Sequence, residues 1–345
     1  MVDRSAVEVV KLASGPLNAL TDVAGIEVGH FTHDRVERGV TAVLCRGGAT
    51  AGVSVRGANP GTLHTDALGP GGTWGLVHGI GLSGGSLFGL GAIAGIGEYL
   101  VQEGVGMRRR QALLPIVAGA VIYDLDLSDP TIHPTAEWGK KAAAVAATGP
   151  FARGNVGAGT GGTAGKGPGC VRTKGGLGTA SLVLPGGLVV AALVVINSLG
   201  GLIHPVTGRL YAIDGGFDVP ILYQLRDETP GNTRTLTNTT LGVVATNAEL
   251  DKHQLVKVAD LAHDGLARAI RPMHTTLDGD TIFALRPNDG AVTLAETTGA
   301  YLTDLVGAAA ADAMVLAVLD AAAETTGVRE WPSVEEAGRR FKGVL

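Results

Sequence analysis

Asn238 and Thr239 meet at the end of a polar run, "TLTNTT", that leads directly into the apolar segment "LGVVATN". A threonine hydroxyl is a weak nucleophile and gains strength only when a neighbouring base takes its proton. On its residues alone the junction keeps three readings open. Small polar residues are common where a loop enters a strand. Asn238-Thr239-Thr240 also fits the N-x-[ST] glycosylation acceptor. In the third reading Thr239 is a nucleophile concealed inside the chain.

Other residues that could do chemistry also stand at strand edges. The glycine-rich stretch "VGAGTGGTAGKGPG", Val156 to Gly169, carries one cation, Lys166. Gly167 follows that lysine, so the Gly-Lys-[Ser/Thr] ending of a phosphate loop is missing. Either this is a surface loop, or the glycines let the backbone bring Lys166 close to another group. Asn197 ends a long apolar run and is either a strand cap or an amide donor facing a cleft. In "HTTLDGDTIFAL", His274 to Leu285, Asp278 and Asp280 flank Gly279. Asp-Gly makes good turns; two carboxylates so close also orient an amine or hydroxyl and perturb each other's protonation.

The elements that must position these residues follow from periodicity. Strands are predicted near Val40–Cys45, Gly75–Ile80, Ile116–Tyr123, Leu188–Ile196, Leu241–Thr246 and Thr281–Leu285. Helices are predicted near Ser86–Glu103, Thr135–Thr148, Glu249–Ile270 and Thr298–Thr325. Asn247 is the candidate N-cap of the third helix, with Glu249 and Asp251 in its first turn. Strands and helices alternate irregularly, which points to a layered α+β body rather than regular βαβ winding. The polar segment Leu225–Leu236 reads as a linker.

Composition narrows the function classes. The 345 residues carry a net charge of −5, from 27 Lys and Arg against 32 Asp and Glu, without long single-sign blocks. No nucleic-acid or membrane-surface footprint is visible. The start lacks a basic segment followed by an apolar one, and the only cysteines, Cys45 and Cys170, form no CxxC, so a reducing cytoplasm and no metal are expected. Ser181 to Pro205 is uncharged, but Pro185-Gly186-Gly187 and Gly200-Gly201 bracket a run of strand length, Leu188 to Ile196. That predicts a strand buried on both faces instead of a membrane span. Gly79 to Gly84 fits G-x-G-x-x-G, yet Glu103 lies at the end of the helix that follows and not on a second strand, so a tight strand-to-helix crossing is preferred to nucleotide binding.

Seven segments in order, "LTDVAGIEVGH", "GANPGTLHTDAL", "GIGLSGGSLFGLGA", "AVIYDL", "GAGTGGTAGK", "NTTLGVVATN" and "HTTLDGDTIFA", give the chain a resemblance over nearly its whole length. It resembles the self-cleaving hydrolases that include the DmpA-type L-aminopeptidase/D-esterase, the β-peptidyl aminopeptidases and the nylon-oligomer hydrolases. The resemblance implies a single-domain, four-layer αββα sandwich, also seen in ornithine acetyltransferase-like proteins, spanning residues 1–345. It implies cleavage between Asn238 and Thr239 into an α chain, 1–238, and a β chain, 239–345, assembled as a homo-oligomer, a tetramer of cleaved protomers.

By the same resemblance Thr239 is the nucleophile and its freed amine the base. Lys166 tunes that amine, Asn197 supports the oxyanion, Asp278 and Asp280 are the acidic pair beside the nucleophile, and Tyr123 lines the substrate pocket. No cofactor is implied. Substrates would be small peptides, amino-acid amides or esters, or 6-aminohexanoate-type oligomers. Members of the DmpA type begin the β chain with serine, so Thr239 with Asp278-Gly279-Asp280 leans to the nylon-oligomer branch. The acid that would hold a substrate amine is unassigned between Asp124 and Asp126. The competing class is an uncleaved, non-catalytic binding or assembly protein on the same fold.

Overall fold

The structure, a computed structural model, describes residues 12–167, 170–203, 238–289 and 299–342, with side chains to residue 338. The predicted linker Leu225–Leu236 lies outside the described residues. Nine strands form the main sheet: β1 (Glu27–Thr32), β2 (Gly39–Val55), β3 (Thr62–Leu63), β4 (Leu76–Ser83), β5 (Val117–Val121), β6 (Gly176–Leu184), β7 (Leu188–Asn197), β8 (Thr239–Thr246) and β9 (Thr281–Pro287). Their order is β6-β7-β8-β9-β2-β4-β5-β3, with β1 paired to β2. The longer helices among the described residues are α1 (Leu90–Gln102), α2 (Ala136–Ala144), α3 (Lys252–Ala269), α4 (Gly299–Glu324) and α5 (Val334–Lys342).

The layering follows from the two-residue period of the strands. Along β7, Val190, Ala192, Val194 and Ile196 join a core with Leu255 and Val258 of α3 and Met314 of α4. The intervening Ala191, Leu193 and Val195 face the other way, into a second core with Ile80 and Leu82 of β4 and Ala118 and Ala120 of β5. A third core sets Val40, Ala42 and Leu44 of β2 against Ile93, Ile96 and Trp138 of α1 and α2. Three cores between four layers make an αββα sandwich. The strand path stays continuous because β2 is 17 residues long and its register shifts between Leu44 and Ala49, so its two ends serve different layers.

Each predicted strand and helix is present, with shifted ends. Leu188–Asn197 is a strand buried on both faces, hairpinned to β6 through Pro185–Gly187, and not a membrane span. Helix α4 is long and apolar enough to cross a membrane, but 67% of its apolar window is buried, as befits a core helix. The N-cap of α3 is Asp251, whose carboxylate accepts from the Gln254 amide while Gln254 reaches back to the Asp251 amide. Asn247 instead bonds the backbone of Val189 and Gly187. A reciprocal side-chain box satisfies two orphan amides where Asn247 would satisfy one.

Strands β1 and β6 escape the periodicity because small residues interrupt them. Gly29 and Gly178 lie where a Cβ would strike the α2 and α4 backbones. Gly79 and Gly81 sit inside β4 for a related reason: a Cβ on Gly81 would meet Ile93 and Ile96 of α1. The G-x-G-x-x-G pattern is therefore explained by close packing, of Gly79 on Leu44 of β2, Gly81 on α1 and Gly84 on the Asp124 carboxylate.

Helices α1 and α2 meet just as closely, since a Cβ on Gly139 would land on the Ala92 carbonyl. Gly139→Ala gains about 1 kcal/mol of helix propensity but meets backbone that cannot yield, an overpacking cost of about 1–3 kcal/mol. The expected outcome is a lower melting temperature for Gly139→Ala than for wild type, measured by circular dichroism; a higher one would mean the helices part without cost.

Candidate active site

Thr239 opens β8 and is 5% exposed. The antiparallel β7–β8 register places Asn197 directly opposite it, where paired Cα atoms lie about 5 Å apart. Both positions are set by apolar strand residues packed in the inter-sheet core, Leu241 and Val243 of β8 and Leu193 and Val195 of β7. In the continuous chain the Thr239 hydroxyl donates to the carbonyl oxygen of its own preceding residue, Asn238, at 2.5 Å. The same oxygen accepts the backbone N–H of Gly279 at 3.0 Å. Asn238 is 4% exposed, which overturns the glycosylation reading for the folded chain.

The glycine-rich segment is not a surface loop. Gly157 to Gly165 are buried, and Gly165, at φ +74°, turns the backbone in the left-handed region that glycine tolerates. This delivers Lys166 to Asn197: its Nζ donates to the Asn197 side-chain oxygen at 2.7 Å and to the main-chain oxygen at 3.1 Å. The Asn197 side-chain oxygen also accepts from the Thr163 N–H and hydroxyl, and its Nδ2 donates to the Tyr123 carbonyl at 2.9 Å. Dense protein around Lys166 lowers its pKa to about 7, with Asp278 pulling the other way.

Asp278 and Asp280 are both fully buried. Asp278 accepts from the Leu199 N–H at 3.2 Å and from Thr275. Asp280 accepts from the Thr240 N–H at 2.7 Å and from the His274 Nδ1 at 2.9 Å. Asp280 thus pins the backbone directly after Thr239, Asp278 ties together the Leu199 and Thr275 segments, and the peptide between the two aspartates is what meets the Asn238 carbonyl. Burial raises the Asp278 pKa, and the neighbouring Asp280 charge adds to the rise.

Tyr123 lines a small cavity of about 120 Å³ together with Asp124, Asp126, Thr163, Lys166, Glu330 and Trp331. Its hydroxyl donates to Asp126 at 2.8 Å, and burial followed by that carboxylate pushes its pKa up to about 12. Asp124 is committed elsewhere: one oxygen accepts the Arg38 guanidinium at 3.2 Å and the Gly85 N–H at 2.7 Å. Its burial lifts its pKa to about 6 despite those partners. The structure therefore brings Thr239, Lys166, Asn197, Asp278, Asp280 and Tyr123 to one place.

Sequence reasoning missed three contributors: Arg38, His274 and Lys174. His274 opens a motif already singled out, but nothing local distinguishes Arg38 or Lys174 from surface cations. Lys174 is completely buried, and its Nζ donates to the carbonyls of Gly162 at 2.5 Å and Gly159 at 3.2 Å, holding the loop that carries Thr163.

Burial lowers the Lys174 pKa from 10.5 to about 7. Between those values the unfolded chain binds more protons than the folded one, so the group makes stability rise with pH, by at most about 1.4 kcal/mol per pH unit. Below pH 7 both states are protonated and the slope vanishes. Denaturant midpoints at pH 7 and 9 should show a wild-type gain exceeding that of Lys174→Met by an amount on the order of 2 kcal/mol, and equal gains would contradict a buried, proton-losing lysine.

Comparison with known proteins agrees with this architecture. Residues 18–331 match peptidase family S58. An uncharacterized aminopeptidase of Mycobacterium tuberculosis strain H37Rv is 39% identical over 327 residues, covering 88% of this chain and 93% of that protein. A 6-aminohexanoate-oligomer endohydrolase of Paenarthrobacter ureafaciens is 31% identical over 313 residues, covering 87% and 84%. Among solved structures, the L-aminopeptidase D-Ala-esterase/amidase of Ochrobactrum anthropi, a variant of the Ntn hydrolase fold, superposes with a TM-score of 0.71 at 26% identity, over 97% of this chain and 95% of that one. A Burkholderia sp. beta-aminopeptidase shares the fold with a TM-score of 0.71 at 23% identity, over 96% of each chain. Fold, family match and relatives converge, and the chain belongs to peptidase family S58 and is a hydrolase.

Proposed function

We propose that the protein cuts its own Asn238–Thr239 bond and then hydrolyses amide bonds of small substrates with the Thr239 it has freed. The observation that carries this reading is the Thr239 hydroxyl held on the Asn238 carbonyl inside a buried, pinned site. Cleavage would leave an α chain of 238 residues and a β chain of 107, from 345 − 238. The new α-amine, with a reference pKa of about 7.7–8.0, is a base suited to neutral pH.

In turnover the amine would take the Thr239 hydroxyl proton as Oγ1 attacks the substrate carbonyl, and return it to the leaving amine. Lys166 sits on the residue facing Thr239. Its charge disfavours a second positive charge nearby, which keeps the amine in its accepting form. Asn197, paired with Thr239 in the ladder, would support the developing oxyanion with its amide.

The small cavity with Asp126, Glu330 and Trp331 suits the charged end of a short amine-bearing substrate. Amino-acid amides, short peptides and 6-aminohexanoate oligomers share that chemistry. Relatives named for aminopeptidase and for oligomer endohydrolase activity both match, so both substrate types belong in the assay. Asp126 is the better placed acid for the amine, because Asp124 is already paired with Arg38.

Boiling the purified protein in SDS should give two bands for wild type and for Thr239→Ser, and one for Thr239→Ala. Complete processing of Thr239→Ala in protease-free protein would end this reading, and a single wild-type band would favour an uncleaved binding protein.

Lys166→Met should lower turnover of a small amide by about 10²-fold, the scale of general-base contributions. Removing a cation lets the Thr239 amine hold its proton more tightly, so the acid limb of kcat/KM should move to higher pH in the variant. An unchanged rate and an unmoved limb would show that Lys166 only supports the fold.

A further inference from the structure

The backbone between the two buried aspartates has a job of its own. Gly279 N–H donates to the Asn238 carbonyl oxygen at 3.0 Å, the oxygen on which the Thr239 hydroxyl also rests. Asn238 and Asp278 form a parallel bridge that sets this approach. The tripeptide is fixed on every side. The Asp278 carbonyl accepts the Asn59 N–H, the Asp280 carbonyl accepts the N–H groups of Arg56 and Gly57, and the Gly279 carbonyl accepts the Thr281 hydroxyl. The two carboxylates add the bonds to Leu199, Thr240 and His274 described above.

Glycine here answers to space and not to backbone conformation. Gly279 is absent from the left-handed region, so other residues could adopt its φ. A Cβ at this position would lie 2.8 Å from the Thr239 Oγ1, 2.6 Å from the Asn59 carbonyl oxygen and 3.1 Å from the Pro60 Cα. The nucleophile and the backbone donor are thus packed against each other, with no room between them for a methyl group.

We infer that the Gly279 N–H is the oxyanion donor of the self-cleavage step and that glycine is required there to admit the Thr239 hydroxyl. This rests on the maturation proposed above. As Oγ1 attacks the Asn238 carbonyl carbon, the C=O π pair moves onto the oxygen, and the N–H already aimed at it stabilises the charge without reorganisation. The C–N bond then breaks, and the hydroxyl's proton ends on the departing Thr239 nitrogen, leaving an ester. Water opens that ester, giving the Asn238 carboxylate and restoring the Thr239 hydroxyl. No co-reactant besides water is needed.

The test replaces one atom. Cell-free translation of the full chain, with glycolic acid at position 279 by nonsense suppression, exchanges the N–H for an ester oxygen at constant size. A control places malic acid at position 278, which removes the Asp278 N–H bond to the Thr275 carbonyl and keeps the carboxylate. Time courses of the two bands should show the position-279 ester slowed about 10²- to 10³-fold, the range for losing one oxyanion donor, and the position-278 ester within a few-fold of wild type. Wild-type speed in the position-279 ester, or equal slowing in both esters, overturns the inference while leaving self-cleavage intact. A wild type that never cleaves removes the underlying proposal instead. Gly279→Ala, whose Cβ would also press on the Asn59 carbonyl and lower the melting temperature, should cleave slowly too; cleavage at the wild-type rate would refute the requirement for space.

Discussion

The β7–β8 register is the constraint on which the site depends. Thr239 is the first residue of a strand whose eight positions are all buried, and Asn197 is the last residue of its antiparallel neighbour. A slip of one residue would exchange the faces of every side chain in β8 and force each into the opposite core, against neighbours of the wrong shape. The register is therefore held by two cores at once, one under α3 and α4 and one between the sheets. A hydroxyl placed at the edge of such a strand inherits the rigidity of the whole sandwich.

That rigidity explains how a weak nucleophile can be placed on a peptide carbonyl. The Asn238–Thr239 peptide is met from one side by the Thr239 hydroxyl and from the other by the Asp278-Gly279-Asp280 turn, whose polar groups are nearly all committed to neighbouring backbone. Positioning of this kind acts through lost freedom and fixed dipoles, which need no rearrangement when charge develops. The buried charges are arranged on the same principle. Arg38 offsets Asp124, and two lysines, Lys166 and Lys174, have pKa values brought down to about 7 by burial. Holding such groups costs folding stability, and their cluster beside a strand edge is the mark of a site shaped for chemistry.

Glycine carries much of this geometry, in three different ways. In β4 and between α1 and α2 it lets helices approach backbone more closely than a Cβ allows. In the loop before Lys166 it permits a left-handed turn that side chains resist. At position 279 it leaves room for a hydroxyl. The high glycine content that obscures motif searches in this chain is thus the consequence of close packing, and the G-x-G-x-x-G match in β4 is its by-product.

The sequence by itself determined the elements whose apolar periodicity is uninterrupted: Leu188–Asn197, Thr239–Thr246 and the long helices declare themselves because burial of one face or two leaves a pattern in the chain. It also made Thr239, Lys166, Asn197, Asp278 and Asp280 visible as polar residues at strand edges and, through seven matching segments, these five and Tyr123 as parts of one site. Strands β1 and β6 stay hidden because their small residues are chosen by helices far away in sequence. The start of α3 departs from its expected cap for a similar reason, since Asn247 and Asp251 are both good caps and only the packed turn decides between them. Arg38, Lys174 and the donor role of the Gly279 backbone belonged wholly to the tertiary structure. A buried cation is recognised by what surrounds it, and a backbone N–H, identical in every residue but proline, acquires chemistry only from the group it is made to face.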